Sequence, residues 1–140
     1  MERGQEVHAA TFIRQRRIVL DGALLASREE LRRILIHELF HFVWVRLSNG
    51  QRDGYESALK NEWNAHARGE LGWSAEMRKV DLKSPAGRAW REYACESFCD
   101  TAAWMYSGVK RHDEFTLAQR YRERRAAWFR AEFAGRPIRL

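Results

Sequence analysis

Apolar residues recur at helical spacing over much of the chain that follows residue 27. Ser27 and Glu30 have the spacing of a capping box, and the periodic pattern after them predicts a helix over residues 28–47. The second half of this segment is apolar nearly all round, which predicts a buried central helix. Asn49 and Gly50 are predicted to end that helix.

Three or four further helices are predicted downstream. Residues 54–69 form the first of them, and residues 74–82 form an ambiguous, short one. Ser84 and Pro85 look like a cap with proline at the first helical position, which predicts a helix from there to Ser107. A last helix is predicted over residues 116–133.

Before the central helix, the pattern is typical of strands. Residues 11–14 and 17–21 are rich in β-branched and aromatic side chains, with residues 15–16 as a possible turn, so they can form a hairpin or one bent strand. The prediction is therefore an α+β chain dominated by helix, in a single domain over residues 1–140. Residues 1–7 are expected to be loose, and residues 116–140 form a basic C-terminal helix and tail.

The composition is that of an ordinary globular protein with a formal net charge of +6, most of it from arginine. Such a balance favours anionic partners, but arginine also covers the solvated faces of helices. No run of apolar residues is long enough to cross a membrane, and no signal peptide is visible. Two cysteines lie four residues apart, Cys95 and Cys99, and we expect them to be unbridged small core residues that face away from Glu96. Free thiols favour a reducing compartment, so the expected location is the cytoplasm.

The central helix carries the sequence His37-Glu38-Leu39-Phe40-His41. Two histidines at positions i and i+4 lie on one face of a helix, so their rings can bind one metal ion. Glu38 is adjacent to the first histidine and can reach a metal-bound water as a general base. The surrounding residues are apolar, and burying these three polar groups is costly unless a ligand satisfies them.

This motif resembles that of the zincin metallopeptidases, and in size the chain is similar to minimal gluzincins, also called minigluzincins. The resemblance implies a minimal zincin-like fold, a Zn²⁺ cofactor and a third ligand from a later helix in the pattern E-x-x-x-D. Glu96 and Asp100 match that pattern. It implies that Glu96 binds zinc and that Asp100 orients a zinc-binding histidine through a hydrogen bond.

Other carboxylates compete with Glu96 for the role of third ligand. Glu92 lies one turn earlier on the same face, whereas the remaining candidates lie in a more polar region bounded by glycines and are expected to be solvated: Glu62, His66, Glu70 and Glu76. The donor that stabilises the oxyanion in larger gluzincins is not assigned by the motif. Three residues are candidates for it: Tyr93, Tyr106 and His112.

These features predict a small cytoplasmic zinc metallopeptidase that acts on a peptide or protein, with no membrane span and an oligomeric state that the sequence does not define. The alternative is a regulatory or nucleic-acid-associated protein on a zincin scaffold, with little or no proteolysis. Its basis is the interleaving of arginines with aromatic residues after residue 119, which can bind phosphates and stack on bases. The favoured interpretation of that segment is an amphipathic helix that packs Tyr121, Trp128 and Phe129 inward and solvates its arginines.

Overall fold

A computed structural model describes residues 9–140, so the predicted loose segment 1–7 lies outside the described residues. The described chain begins with an antiparallel hairpin of β1 (Ala9–Phe12) and β2 (Arg17–Leu20), in which Ala9 pairs with Leu20. Arg16 closes the turn with a φ of 50°. The predicted hairpin is confirmed, with β1 displaced by two residues toward the N-terminus.

Helix α1 spans Arg28–Arg46 and begins where the sequence predicts. The Ser27 hydroxyl accepts a hydrogen bond from the Glu30 backbone N–H at 3.3 Å. A 3₁₀ helix over Gly22–Ala26, which the sequence analysis did not predict, leads into it.

The predicted role of Asn49 and Gly50 is wrong. They do not simply end α1; they open helix α2 (Asn49–Asn64) after a single sharp turn. The cause is a second capping box: the Ser48 hydroxyl accepts from the Gln51 N–H at 3.1 Å, and the Gln51 side chain accepts from the Ser48 N–H at 2.8 Å. The serine and glutamine three apart were the sequence signal for this start.

Helices α3 (Trp73–Val80), α4 (Gly87–Tyr106) and α5 (Gln119–Phe133) complete the fold. Pro85 is not the first residue of α4, because the chain enters this helix through Gly87 with a φ of 85°. The last helix starts three residues later than predicted. Thr116 and Leu117 instead donate their backbone N–H groups to the Glu70 carbonyl at 2.9 and 3.0 Å, which holds them outside the helix.

The helices pack around one aromatic core. Helix α1 makes its most extensive contact with α4, α3 also packs on α4, and α2 packs on α5. Rings from four of the helices meet in the centre, where Phe98 lies 5.0 Å from both Trp44 and Phe129 between ring centroids. Tyr55 is fully buried beside them. Burial of such large rings is the main stabilising contribution to a core of this size.

The architecture is therefore α+β and dominated by helix, as predicted: the described part of the chain forms a two-stranded sheet, the central helix and four further α-helices. Within residues 9–140, none of the helices combines the length and the apolar character that crossing a bilayer would need.

Candidate metal centre

Helices α1 and α4 bring three predicted ligands together. The Glu96 Oε2 atom lies 3.1 Å from His37 Nε2 and 3.5 Å from His41 Nε2. The two imidazole rings are 5.1 Å apart between centroids and nearly perpendicular. The histidines come from successive turns of α1, and α4 runs antiparallel to α1, so one carboxylate can face both rings.

The opposite nitrogen of each ring contacts α4 as well. His37 Nδ1 lies 2.6 Å from Asp100 Oδ1, and His41 Nδ1 lies 3.5 Å from the Cys95 thiol. A hydrogen bond from Nδ1–H to a carboxylate leaves the Nε2 lone pair free for a metal. Both rings therefore present Nε2 to the point that Glu96 also faces.

The Glu96 oxygen between the rings is buried and, among residues 9–140, has no hydrogen-bond partner of acceptable geometry. Burial opposes its charge, but the two imidazoles more than offset this and lower the pKa of Glu96 below its usual value. Two imidazole nitrogens and one carboxylate oxygen are donors that could hold a metal ion, and zinc accepts such a set. The residues present fit a zinc ion.

Asp100 is held from two sides. Its Oδ1 faces His37, and its Oδ2 accepts a hydrogen bond from the Ala75 backbone N–H at 2.9 Å, in the first turn of α3. Gly72 packs directly against it, since a Cβ at that position would lie 2.2 to 2.4 Å from the Asp100 carboxyl atoms. This role of Gly72 was not predicted, because the contact joins residues from separate elements.

Glu38, the predicted general base, is buried beside the hairpin. The Thr11 hydroxyl on β1 donates to a carboxylate oxygen of Glu38, and it also lies 3.1 Å from the Glu38 carbonyl oxygen. The hairpin thus supplies a polar partner to helix α1. This role of Thr11 was not predicted, because no local pattern relates residues 27 positions apart.

The two cysteines do not face away from the site, so that prediction is wrong. Cys95 contacts His41, and Cys99 supplies a thiol close to both histidines: one ligand atom each from His37, His41 and Cys99 lie within 4.8 Å of one another. Both thiols are free. The cause is the α4 register, since residues 95, 96, 99 and 100 all lie on the stripe that faces α1. The expectation that Cys99 is a small core residue is confirmed, because it is fully buried in the main core.

The rival carboxylates occupy other environments. Glu92 is partly exposed and pairs with Arg78 at 2.9 Å and Arg88 at 3.1 Å. His66 is exposed after the end of α2, as predicted, and Glu76 is half-buried in α3.

Glu62 and Glu70 are not solvated, which corrects the prediction. Arg125 from α5 is fully buried between them, 2.7 and 2.9 Å from the two Glu62 oxygens and 3.0 and 3.1 Å from those of Glu70. Thr101 on α4 accepts a fifth bond from this guanidinium at 3.2 Å. We call this group the buried arginine network: Glu62, Glu70, Thr101 and Arg125. Lys79 Nζ, 3.2 Å from Glu70, supplies a second positive charge against the two carboxylates, so the charges balance and the network has a structural role.

The basic C-terminal helix packs largely as expected. Tyr121 and Phe129 are buried, and Trp128 is half-buried against the aromatic core. The prediction that the arginines are solvated is wrong for Arg125, which is fully buried, and for Arg122, which is half-buried and donates to two backbone carbonyls at 2.6 and 2.8 Å. Because these rings are packed inward, they present little surface on which a base could stack.

The three candidates for an oxyanion donor are engaged elsewhere in the described chain. The buried Tyr93 hydroxyl donates to Glu70. His112 Nε2 lies 2.7 Å from a Glu30 carboxylate oxygen, two turns before His37. Tyr106 is partly exposed and stacks on Phe40 at 5.5 Å between ring centroids. The structure therefore brings together His37, His41, Glu96 and Asp100, but it does not bring any of these three to them.

Comparisons with protein-family models, with curated proteins and with solved structures found no match for this chain.

Proposed function

We propose that this protein is a zinc-dependent metallohydrolase, a small gluzincin-like metallopeptidase that hydrolyses peptide bonds. One observation carries the proposal: a buried carboxylate oxygen of Glu96, without a hydrogen-bond partner in the described chain, lies 3.1 and 3.5 Å from the Nε2 atoms of His37 and His41. Placing these groups together in a largely apolar interior is costly, and a divalent cation would compensate for that cost.

In this proposal His37, His41 and Glu96 hold the zinc, and Asp100 fixes the tautomer and orientation of His37. When bound, zinc acts as a Lewis acid and lowers the pKa of a coordinated water toward neutrality. The order of elements also supports a minimal zincin-like fold: a hairpin, the motif helix, and a later helix that contributes the glutamate.

Glu38 is the general base. Its carboxylate accepts a proton from the attacking water and returns it to the leaving amine. The Thr11 hydroxyl holds this carboxylate through one oxygen, which restricts its rotation while the other oxygen is available for the proton. The buried position of Glu38 excludes bulk water from the carboxylate.

The substrate in this proposal is a peptide or a protein. The free thiols Cys95 and Cys99 support a reducing compartment, and we infer that the protein works in the cytoplasm.

The test combines elemental analysis with a peptide-hydrolysis assay on the full chain. Wild type should contain one zinc, and Glu38→Gln should keep the zinc while activity falls by about 10²- to 10⁴-fold. Glu96→Ala should lose the zinc. Glu92→Ala is the matched control, one turn away on the same helix, and should keep both zinc and activity. A wild-type protein that binds no zinc, or a fully active Glu38→Gln variant, would refute the proposal.

A further inference from the structure

The candidate metal centre contains a donor that the zincin motif does not use. Cys99 lies three residues after Glu96 on α4, on the stripe that faces α1. Its thiol and one nitrogen each of His37 and His41 lie within 4.8 Å of one another. The thiol is fully buried, so it approaches the histidines from the core side, whereas the Glu96 side chain retains about a fifth of its exposure.

We propose that Cys99 is a fourth protein ligand of the metal in the resting protein, which then has two nitrogen, one oxygen and one sulfur donor. This inference rests on the proposed zinc site and adds a ligand to it. Zinc accepts thiolate, imidazole and carboxylate ligands in a tetrahedral arrangement. The 4.8 Å limit applies to Cys99 and the two histidines, and the Glu96 oxygen lies 3.1 and 3.5 Å from the Nε2 atoms of the same two histidines, so both side chains reach the same pair of rings.

Cys95 provides the contrast. Its sulfur lies 3.5 Å from Nδ1 of His41, on the opposite side of the ring from the Nε2 atom that faces Glu96. It therefore occupies the same position toward His41 that Asp100 occupies toward His37. The two thiols, one helical turn apart, have different roles: Cys95 orients a ligand, and Cys99 is a ligand.

A site with four protein ligands has no open position for water, unlike a catalytic zinc site with three. With a metal bound in this way, Cys99 would hold the position that a water needs for hydrolysis, and its thiol would have released a proton to solvent. For hydrolysis the thiolate would take up a proton and turn away from the site. No oxidant is needed for this exchange, and the resting protein is a closed state of the enzyme.

Cobalt(II) substitution tests the proposal without any activity assay. Thiolate ligation gives cobalt an intense charge-transfer absorption in the near ultraviolet, whereas the visible ligand-field bands report binding alone. We expect this absorption in wild type and in Cys95→Ala, and its loss in Cys99→Ala while the ligand-field bands persist. X-ray absorption of the zinc-loaded wild type should show one sulfur at about 2.3 Å. This measurement needs no variant, and combined with the charge-transfer band expected in Cys95→Ala it assigns the sulfur to Cys99 even if Cys99→Ala does not fold.

The outcomes separate this inference from the proposed function. The role of Cys99 would be overturned if cobalt-loaded wild type showed ligand-field bands but no charge-transfer band, and zinc-loaded wild type showed no sulfur at the zinc. The three-ligand site would then remain intact. A band that survives in Cys99→Ala and disappears in Cys95→Ala would assign the ligand to Cys95 and also overturn it. Absence of ligand-field bands would mean that no metal binds, in which case the proposed function and this inference fail together.

Discussion

Replacing Arg125 by methionine should be the most destabilising single change outside the core rings. Methionine keeps much of the side-chain volume but removes a guanidinium that makes four hydrogen bonds to two buried carboxylates, from 2.7 to 3.1 Å. Glu70 would keep two other partners, the Tyr93 hydroxyl and Lys79 Nζ at 3.2 Å. Glu62 has its two hydrogen bonds to Arg125 alone, and it is 3% exposed.

The loss of unfolding free energy in Arg125→Met is set mainly by Glu62. Removing one partner of a buried ion pair typically costs about 3–5 kcal/mol. We expect a penalty in this range, because Glu62 stays buried after its only charged partner in the described chain is removed. Set against a typical domain stability of about 5–15 kcal/mol, the variant should remain folded but be severely weakened.

Urea denaturation followed by circular dichroism at pH 7 measures this difference. Arg130→Met, at an exposed arginine in the last turn of α5, is the matched control and should cost less than about 1 kcal/mol. Adding Glu62→Gln to Arg125→Met should recover about 2 kcal/mol, because it removes the uncompensated charge. If Arg125→Met costs no more than the control, or if the double variant shows no recovery, the two carboxylates do not depend on this arginine.

Three further predictions concern the site and the network. Gly72→Ala should lower zinc affinity by about 10- to 100-fold in a chelator competition, since the new Cβ displaces Asp100; unchanged affinity would contradict the packing. Thr11→Val should keep its zinc but lose about tenfold in turnover, because Glu38 loses its hydroxyl partner. Thr11→Ser keeps a hydroxyl and should be near wild type. Equal turnover in wild type and both variants would show that Thr11 does not position Glu38. Burial disfavours the charge on Glu70, but its buried arginine partner lowers its pKa below the usual 4.5. The stability it contributes should thus be present above pH about 4.5 and be lost as pH falls through the lowered pKa, and an acid titration of the unfolding free energy should show a shallower loss in Glu70→Gln.

Local signals account for what the sequence predicted. Ser27 with Glu30 fixed the start of α1, and the i, i+4 spacing of His37 and His41 put them on one face whatever the tertiary fold. The E-x-x-x-D resemblance led to Glu96 and Asp100, and the structure brings both to the histidines. Each of these inferences needed only residues within one or two turns of a helix.

Long-range charge compensation explains what the sequence did not predict. Glu62 and Glu70 have polar, glycine-bounded neighbours, and composition alone favours solvated positions for them. Their burial depends on Arg125, which is 63 residues from Glu62 and 55 residues from Glu70 in the chain. The contact between Thr11 and Glu38 and the packing of Gly72 on Asp100 are likewise invisible without the relative placement of separate elements.

Helix α4 connects the buried arginine network with the candidate metal centre. Residues 93, 97 and 101 of this helix are spaced four apart, and all three carry hydroxyl groups. The Tyr93 hydroxyl donates to Glu70 in the buried arginine network. The Tyr55 hydroxyl lies 2.8 Å from Ser97 Oγ and 3.0 Å from Thr101 Oγ1. Its residues at 96 and 100 repeat on the face toward α1 and meet the histidines. A helix buried on both faces cannot rotate without disrupting one set of partners, so the arginine network fixes the rotation at which Glu96 faces the histidines. A buried ion pair adds little net stability compared with apolar packing. We therefore expect that Arg125 and its two glutamates serve mainly to fix the rotation of α4 that the candidate metal centre requires.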